Sequence, residues 1–100
     1  MFGTIGHARL KSGSDGAMEA LNDDWFRTIR PKIAGRVVQL VGRVKDRPDE
    51  TVFVALMQDE ATYRNLAADP DQDAWFRRFM ELVDGDVTWE DVEIDLMRED

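Results

Sequence analysis

His7 is the only imidazole in the chain and the only side chain whose ordinary pKa lies near neutrality, so it is the default general acid or base. Its neighbours argue against that role. Alternation along Phe2 to Lys11 groups His7 with Gly3, Ile5, Arg9 and Lys11, and sets Phe2, Thr4, Gly6, Ala8 and Leu10 on the other side. Gly6 and Ala8 are the more suggestive pair, because two small residues on one face leave volume that large side chains fill or a ligand occupies. Trp25, Tyr63, Trp75, Phe76 and Phe79 could line that volume, and the same aromatics would also serve as an ordinary core. Gly6, Ala8, Trp25, Tyr63, Trp75 and Phe79 are therefore the candidate ligand-binding residues, and no residue is assigned a catalytic role. Arg77 and Arg78 could reach an anion, but Asp71, Asp73, Glu81 and Asp84 lie at or near helical pairing distances and surface pairing uses them up.

Other chemistries are missing. With no cysteine there is no thiolate nucleophile, disulfide or Cys-ligated metal site, and no metal site is expected from a lone histidine and scattered carboxylates. Gly3-Thr4-Ile5-Gly6 is too short for a nucleotide fingerprint, and no phosphate loop or hydrolase triad order is present. A formal charge of −8, from 21 acidic and 13 basic residues, opposes binding to nucleic acid unless the basic residues gather on one face, and in sequence they do not. The apolar runs fall far short of the roughly 18 residues a membrane helix needs, and the N-terminus lacks a signal-peptide pattern. The expectation is a cytoplasmic protein with no membrane partner, forming a single domain over residues 1–100.

The elements that must position these residues follow from periodicity and punctuation. Phe2 to Lys11 reads as a strand, and "SGSDG" breaks it, with Ser14 as N-cap. Met18, Leu21, Trp25 and Ile29 recur at helical spacing, and the helix ends near Arg30, before Pro31. Arg36 to Val44 and Thr51 to Met57 form a hairpin across "KDRPDE". Asp59 caps a helix over Ala61 to Ala68. Asp69 caps the next, with Pro70 at its first position and Gln72 closing a capping box. Trp75, Phe76, Phe79, Met80, Leu82 and Val83 make its apolar face, and Val87 to Met97 alternates as a last strand.

A βαββαβ order of this length predicts a ferredoxin-like α+β fold: a four-stranded antiparallel sheet with the helices on one face. First and last strands would be neighbours, pairing Arg9 and Lys11 with Asp91, Glu93 and Asp95. Ala8, Leu10, Val92, Ile94 and Leu96 would then meet the helices. Ile5, Val87, Trp89 and Met97 would lie on the bare face, a part-apolar surface suited to a homodimer through the sheets.

With "TIGHARLKSG" in strand one, the hairpin, and "DPDQDAWFRRF" opening the last helix, almost the whole chain resembles the antibiotic biosynthesis monooxygenase family. The resemblance implies a dimeric α/β barrel, with two sheets facing each other and a pocket in each subunit between its helices and sheet. The family's haem-degrading branch uses an asparagine on the first strand, a tryptophan on the penultimate helix and a ligating histidine on the last. The matching positions here are Gly6, Leu66 and the stretch around Trp75 to Arg77, which lack that set apart from a displaced tryptophan. The cofactor-independent branch oxidises activated aromatics such as anthrones in a dry pocket with a few polar groups. The leading expectation is accordingly a homodimer binding an aromatic or polycyclic small molecule with no bound cofactor, extending to cofactor-independent monooxygenation. The alternatives are a non-catalytic dimeric module for a metabolite or protein and, third, a haem-binding protein.

Overall fold

The computed structural model describes residues Met1–Asp100. Its elements are β1 (Phe2–Arg9), α1 (Asp15–Thr28), β2 (Val37–Val44), β3 (Arg47–Met57), α2 (Glu60–Ala67), α3 (Pro70–Glu81) and β4 (Thr88–Glu93), with one turn of 3-10 helix at Arg30–Lys32 after α1. The four strands form one antiparallel sheet in the order β2-β3-β1-β4. This is the ferredoxin-like α+β arrangement expected from the βαββαβ order, with the second return across the sheet divided into α2 and α3. No helix is long and apolar enough to cross a membrane.

Local chemistry sets the boundaries. Asp59 accepts a hydrogen bond from the Thr62 amide at 2.8 Å and starts α2, and Asp69 accepts from the Asp71 amide at 2.8 Å and starts α3, with Pro70 next. The capping box does not form, since the Gln72 side chain turns inward to accept from an indole instead. Ser14 occupies the N-cap position of α1 without a side-chain cap bond. β3 begins at Arg47, earlier than expected, and Pro48 falls where the β2/β3 register is interrupted, a place that tolerates a residue without an amide donor.

Two apolar clusters hold the helices to the sheet. Ala8, Met18, Leu21, Phe53, Phe79 and Val83 make one, and Trp25, Ile29, Ile33, Met57 and Leu66 the other. Phe79 and Met57 are the most deeply buried large side chains, so each cluster is anchored between a strand of the sheet and a helix.

The last strand lies the other way up from the expectation. Register pairs Gly6 with Trp89, Thr4 with Asp91 and Gly3 with Val92. Trp89 and Asp91 therefore share the helix-facing side with Gly6 and Thr4, and Val92 sits on the bare face. Val87 packs against the first core cluster, whereas Leu96 is exposed beyond the strand. The expected pairing of Arg9 with the β4 acids is absent, and Arg9 meets Asp49 at 3.1 Å instead. The physical reason is size. On an edge strand the face is settled by the side chain with most apolar area to bury, and the Trp89 indole outweighs the charge pattern.

The bare face carries Ile5, Val38, Val52, Val54, Val92 and Leu40, the last 60% exposed. His7 stands on the same face, with its Nδ1 3.4 Å from Glu50, away from the space beneath the helices.

Candidate ligand cavity

Between the sheet and the helices lies a cavity of about 350 Å³, within the range that accommodates small ligands. Its floor follows from the register. Gln39, Ala55, Thr4 and Asp91 form one row across all four strands on the helix side. Larger residues flank that row. On one side stand Val41, Phe53 and Trp89, with Gly6 between them, and on the other Val37, Met57 and Phe2. A row of small and polar side chains between two taller rows leaves a trough, and Thr4, Gln39 and Ala55 line it.

One wall is aromatic. Phe79 meets Phe53 edge to face at 5.2 Å and lies stacked against Trp75 and Phe76, each at 5.7 Å. The Trp89 ring closes the group, 5.9 Å from Phe79 and 6.1 Å from Phe76. It lies directly over Gly6, where an added Cβ would come within 2.2 Å of the ring. Gly6 thus admits an indole to the wall and does not itself line the cavity.

The roof is braced by two hydrogen bonds running in opposite directions between α1 and α3. Trp25 on α1 donates its indole N–H to Gln72 Oε1 on α3 at 2.8 Å, and Trp75 on α3 donates to the Leu21 carbonyl on α1 at 2.8 Å. Both donors are satisfied within the protein, so each tryptophan offers the cavity only its ring. Arg78 on α3 also donates to Asp24 on α1 at 2.8 Å and, together with Arg27, holds the Asp24 carboxyl below its ordinary range.

Tyr63 on α2 packs edge to face on Phe2 at 5.2 Å and donates its hydroxyl to Asp91 at 2.8 Å. Burial, and then the neighbouring carboxylate, raise its pKa above the ordinary phenol value, so it is a neutral hydrogen-bonding group at physiological pH. Thr4 donates to the Glu90 carbonyl at 3.1 Å. No charged side chain lines the cavity. One polar atom near it has no partner: Asn22 Oδ1, on α1, is sealed from solvent and receives no hydrogen bond.

The structure thus brings four of the sequence-derived candidates, Trp25, Tyr63, Trp75 and Phe79, around one space and leaves two outside it. Gly6 is covered by Trp89, and Ala8 is buried in the first core cluster against Met18 and Phe79. Sequence reasoning missed Thr4, Gln39, Ala55, Asn22, Gln72 and Trp89. The one signal that could have found the floor is Ala55, the small residue in the helix-facing series Phe53, Ala55, Met57. The residues do not fit haem: the lining holds no imidazole and no cation to receive propionates, and His7 stands on the opposite face of the sheet.

No family model matches the chain, and no curated protein matches its sequence. Solved structures do share its fold. A provisionally assigned antibiotic biosynthesis monooxygenase from Deinococcus radiodurans superposes with a TM-score of 0.77 at 14% identity, covering 99% of this chain and 97% of that one. Rv0793 from Mycobacterium tuberculosis gives 0.76 at 14% identity over 98% of each chain. A further structure described as an antibiotic biosynthesis monooxygenase gives 0.70 at 15% identity, over 94% of this chain and 98% of that one. Several neighbours thus carry the family name suggested by the sequence motifs. At these identities the likeness is one of fold.

Proposed function

We propose that the chain binds an aromatic or polycyclic small molecule in the cavity between its helices and sheet, as a cytoplasmic homodimer joined through the bare sheet faces. The observation that carries this reading is the lining: aromatic ring faces and small side chains around about 350 Å³, with both indole N–H groups of the roof already bonded inside the protein. Flat apolar ligands gain contact area in such a space without stranding either indole N–H of the roof. The apolar residues left on the bare face, led by Leu40, support the dimer.

The names of the fold neighbours favour a second step, oxygenation without a bound cofactor. In that reading the substrate supplies the electrons. An activated methylene loses a proton, molecular oxygen adds to the carbanion, and water leaves the resulting hydroperoxide, so that CH₂ and O₂ become C=O and H₂O. The proton acceptor within reach of the cavity is the Asp91 carboxylate, through the Tyr63 hydroxyl.

Absorbance-corrected tryptophan fluorescence, followed while titrating a panel of anthrones, quinols and smaller aromatics, tests the binding reading. Saturable quenching is expected, because Trp25, Trp75 and Trp89 all line the cavity. A silent panel would refute it and leave the aromatics as core alone. Oxygen uptake with an anthrone, lost in Tyr63→Phe, tests the second step.

A further inference from the structure

Resting on the dimer reading of the bare sheet face, we propose that residues 94–100 are a self-cover for that face, a strap that a second copy of the chain must displace in order to dock. The strap leaves β4 as a continuation of the ladder, with the Ile94 amide donating to the Met1 carbonyl at 2.8 Å. Further on, Glu99 meets the Arg36 guanidinium at 3.2 Å. Arg36 directly precedes β2, and β2 and β4 are opposite edges of the sheet. Residues 94–99 therefore cross its full width, three strand spacings or about 14 Å, which a nearly extended chain of that length spans. Burial places the crossing on the bare face. Val38, Leu56, Gly3 and Val92 form one row on that face, yet Leu56 is only 5% exposed and Gly3 is buried. The next row, Leu40, Val54, Ile5 and Glu90, lacks such cover, and Leu40 stands out into solvent. Every helix lies on the other face, so the cover over Leu56 and Gly3 comes from the strap as it passes, beside Met1.

Two sheets that pack face to face stand about 10 Å apart, and their own inward side chains fill the gap. A strap on the inner face occupies that layer, and a twofold pairing brings two straps into it, one from each copy. Each strap also carries three acids, Asp95, Glu99 and Asp100, against the single Arg98, setting like charge against like where the copies would meet. The strap is lightly held. Leu96 is 68% exposed, Met97 is exposed as well, and the tie at the far edge is one ion pair between exposed side chains, a contact of small net value. The strapped monomer and the dimer are thus in balance, with the strap set against the second sheet for the same surface.

Sedimentation equilibrium tests this on the full chain, on a chain ending at Ile94, which keeps the bond to Met1 and loses the crossing, and on Glu99→Gln. A strap held this lightly leaves about one copy in three open, and because both copies must open, the apparent dimer dissociation constant is raised about tenfold. The shortened chain should accordingly dimerise about tenfold more tightly than the full chain, and Glu99→Gln about two- to threefold more tightly. Trypsin gives a second measurement on the unaltered chain. Pinned at both ends, the strap fits a protease cleft poorly, so the first-order release of Glu99-Asp100 by cleavage after Arg98 should quicken as the protein concentration is raised through the dissociation constant. A shortened chain that dimerises within about twofold of the full chain, or more weakly, overturns the inference and leaves the dimer reading standing, as does cleavage that slows with concentration. Should the shortened chain fail to fold, as judged by circular dichroism, Glu99→Gln and the trypsin assay decide. Monomers of both chains at every concentration overturn the inference and the dimer reading together.

Discussion

Filling the cavity from its floor should make the protein more stable and unable to bind. Ala55 sits in the middle strand row beneath the roof, between Gln39 and Thr4, and lines the cavity of about 350 Å³. Ala55→Leu adds three carbons that project into that space. Complete burial of three methylene equivalents at about 0.8 kcal/mol each would be worth about 2.4 kcal/mol, and a cavity open at its mouth yields about half of it. The expected gain is about 1 kcal/mol, which for a domain of this size raises Tm by about 4–8 °C. Urea denaturation monitored by circular dichroism gives the free energy, and the fluorescence titration should lose its saturable component. The reasoning fails on its sign. If Ala55 were in fact tightly packed, the added carbons would strain the core and cost about 1–3 kcal/mol. A destabilised variant, or a stabilised one that still binds the aromatic panel, would refute the cavity described here.

Three other outcomes follow from the same contacts. Burial and Asp91 raise the Tyr63 pKa above its ordinary value of 10.0, so the neutral phenol stabilises the fold fully below the unfolded pKa and that contribution is lost as pH rises through the folded value; Tyr63→Phe should flatten this alkaline loss in pH-dependent melting. Asp24 is held below its ordinary 3.8, chiefly by the Arg78 hydrogen bond, a contribution present above the unfolded pKa and lost as pH falls through the folded value, so the stability difference between wild type and Arg78→Gln should close as the solution is acidified below that range. Sedimentation velocity at micromolar concentration should give a dimer that Leu40→Asp dissociates, because the substitution places an unpaired carboxylate at the most exposed apolar residue of the bare face, on the edge strand β2; a wild-type monomer would defeat the dimer reading.

Periodicity and punctuation carried most of the fold. Asp59, Asp69 and Pro70 start their helices where their chemistry says they should, and the helical spacing of Met18, Leu21 and Trp25 buries those three residues together. The face of β4 was not legible. Its acids alternate cleanly, but alternation on an edge strand states only that two faces differ, and which one turns inward depends on the partner across the ladder. That partner is Gly6, 83 positions away, and the pairing of Gly6 with Trp89 is information that no local window contains. The same long-range pair explains why small residues misled the search for a cavity. Gly6 looks like empty space in the chain and is filled by the neighbouring strand, whereas the true gap lies one row along, at Ala55 and Thr4, where no neighbour reaches in.

A gap of this size cannot be a sealed packing void. A sealed, dry void of about 350 Å³ would cost about 8 kcal/mol at 24 cal/mol per Å³, comparable with the whole stability of about 5–15 kcal/mol expected of a domain this long. Such a void would collapse, or the fold would fail. Here collapse is opposed from three sides. The reciprocal indole bonds fix α1 against α3, the stack of Trp75, Phe76 and Phe79 stiffens α3 above the sheet, and Trp89 wedges over Gly6 at the rim, 39% exposed. The pocket is partly open to solvent, with Trp89 half-exposed at its rim, so the cost is that of a wet apolar trough and not of a vacuum. A trough held open by aromatic braces, wet when empty and apolar along its walls, is a state that a flat ligand improves by displacing poorly bonded water.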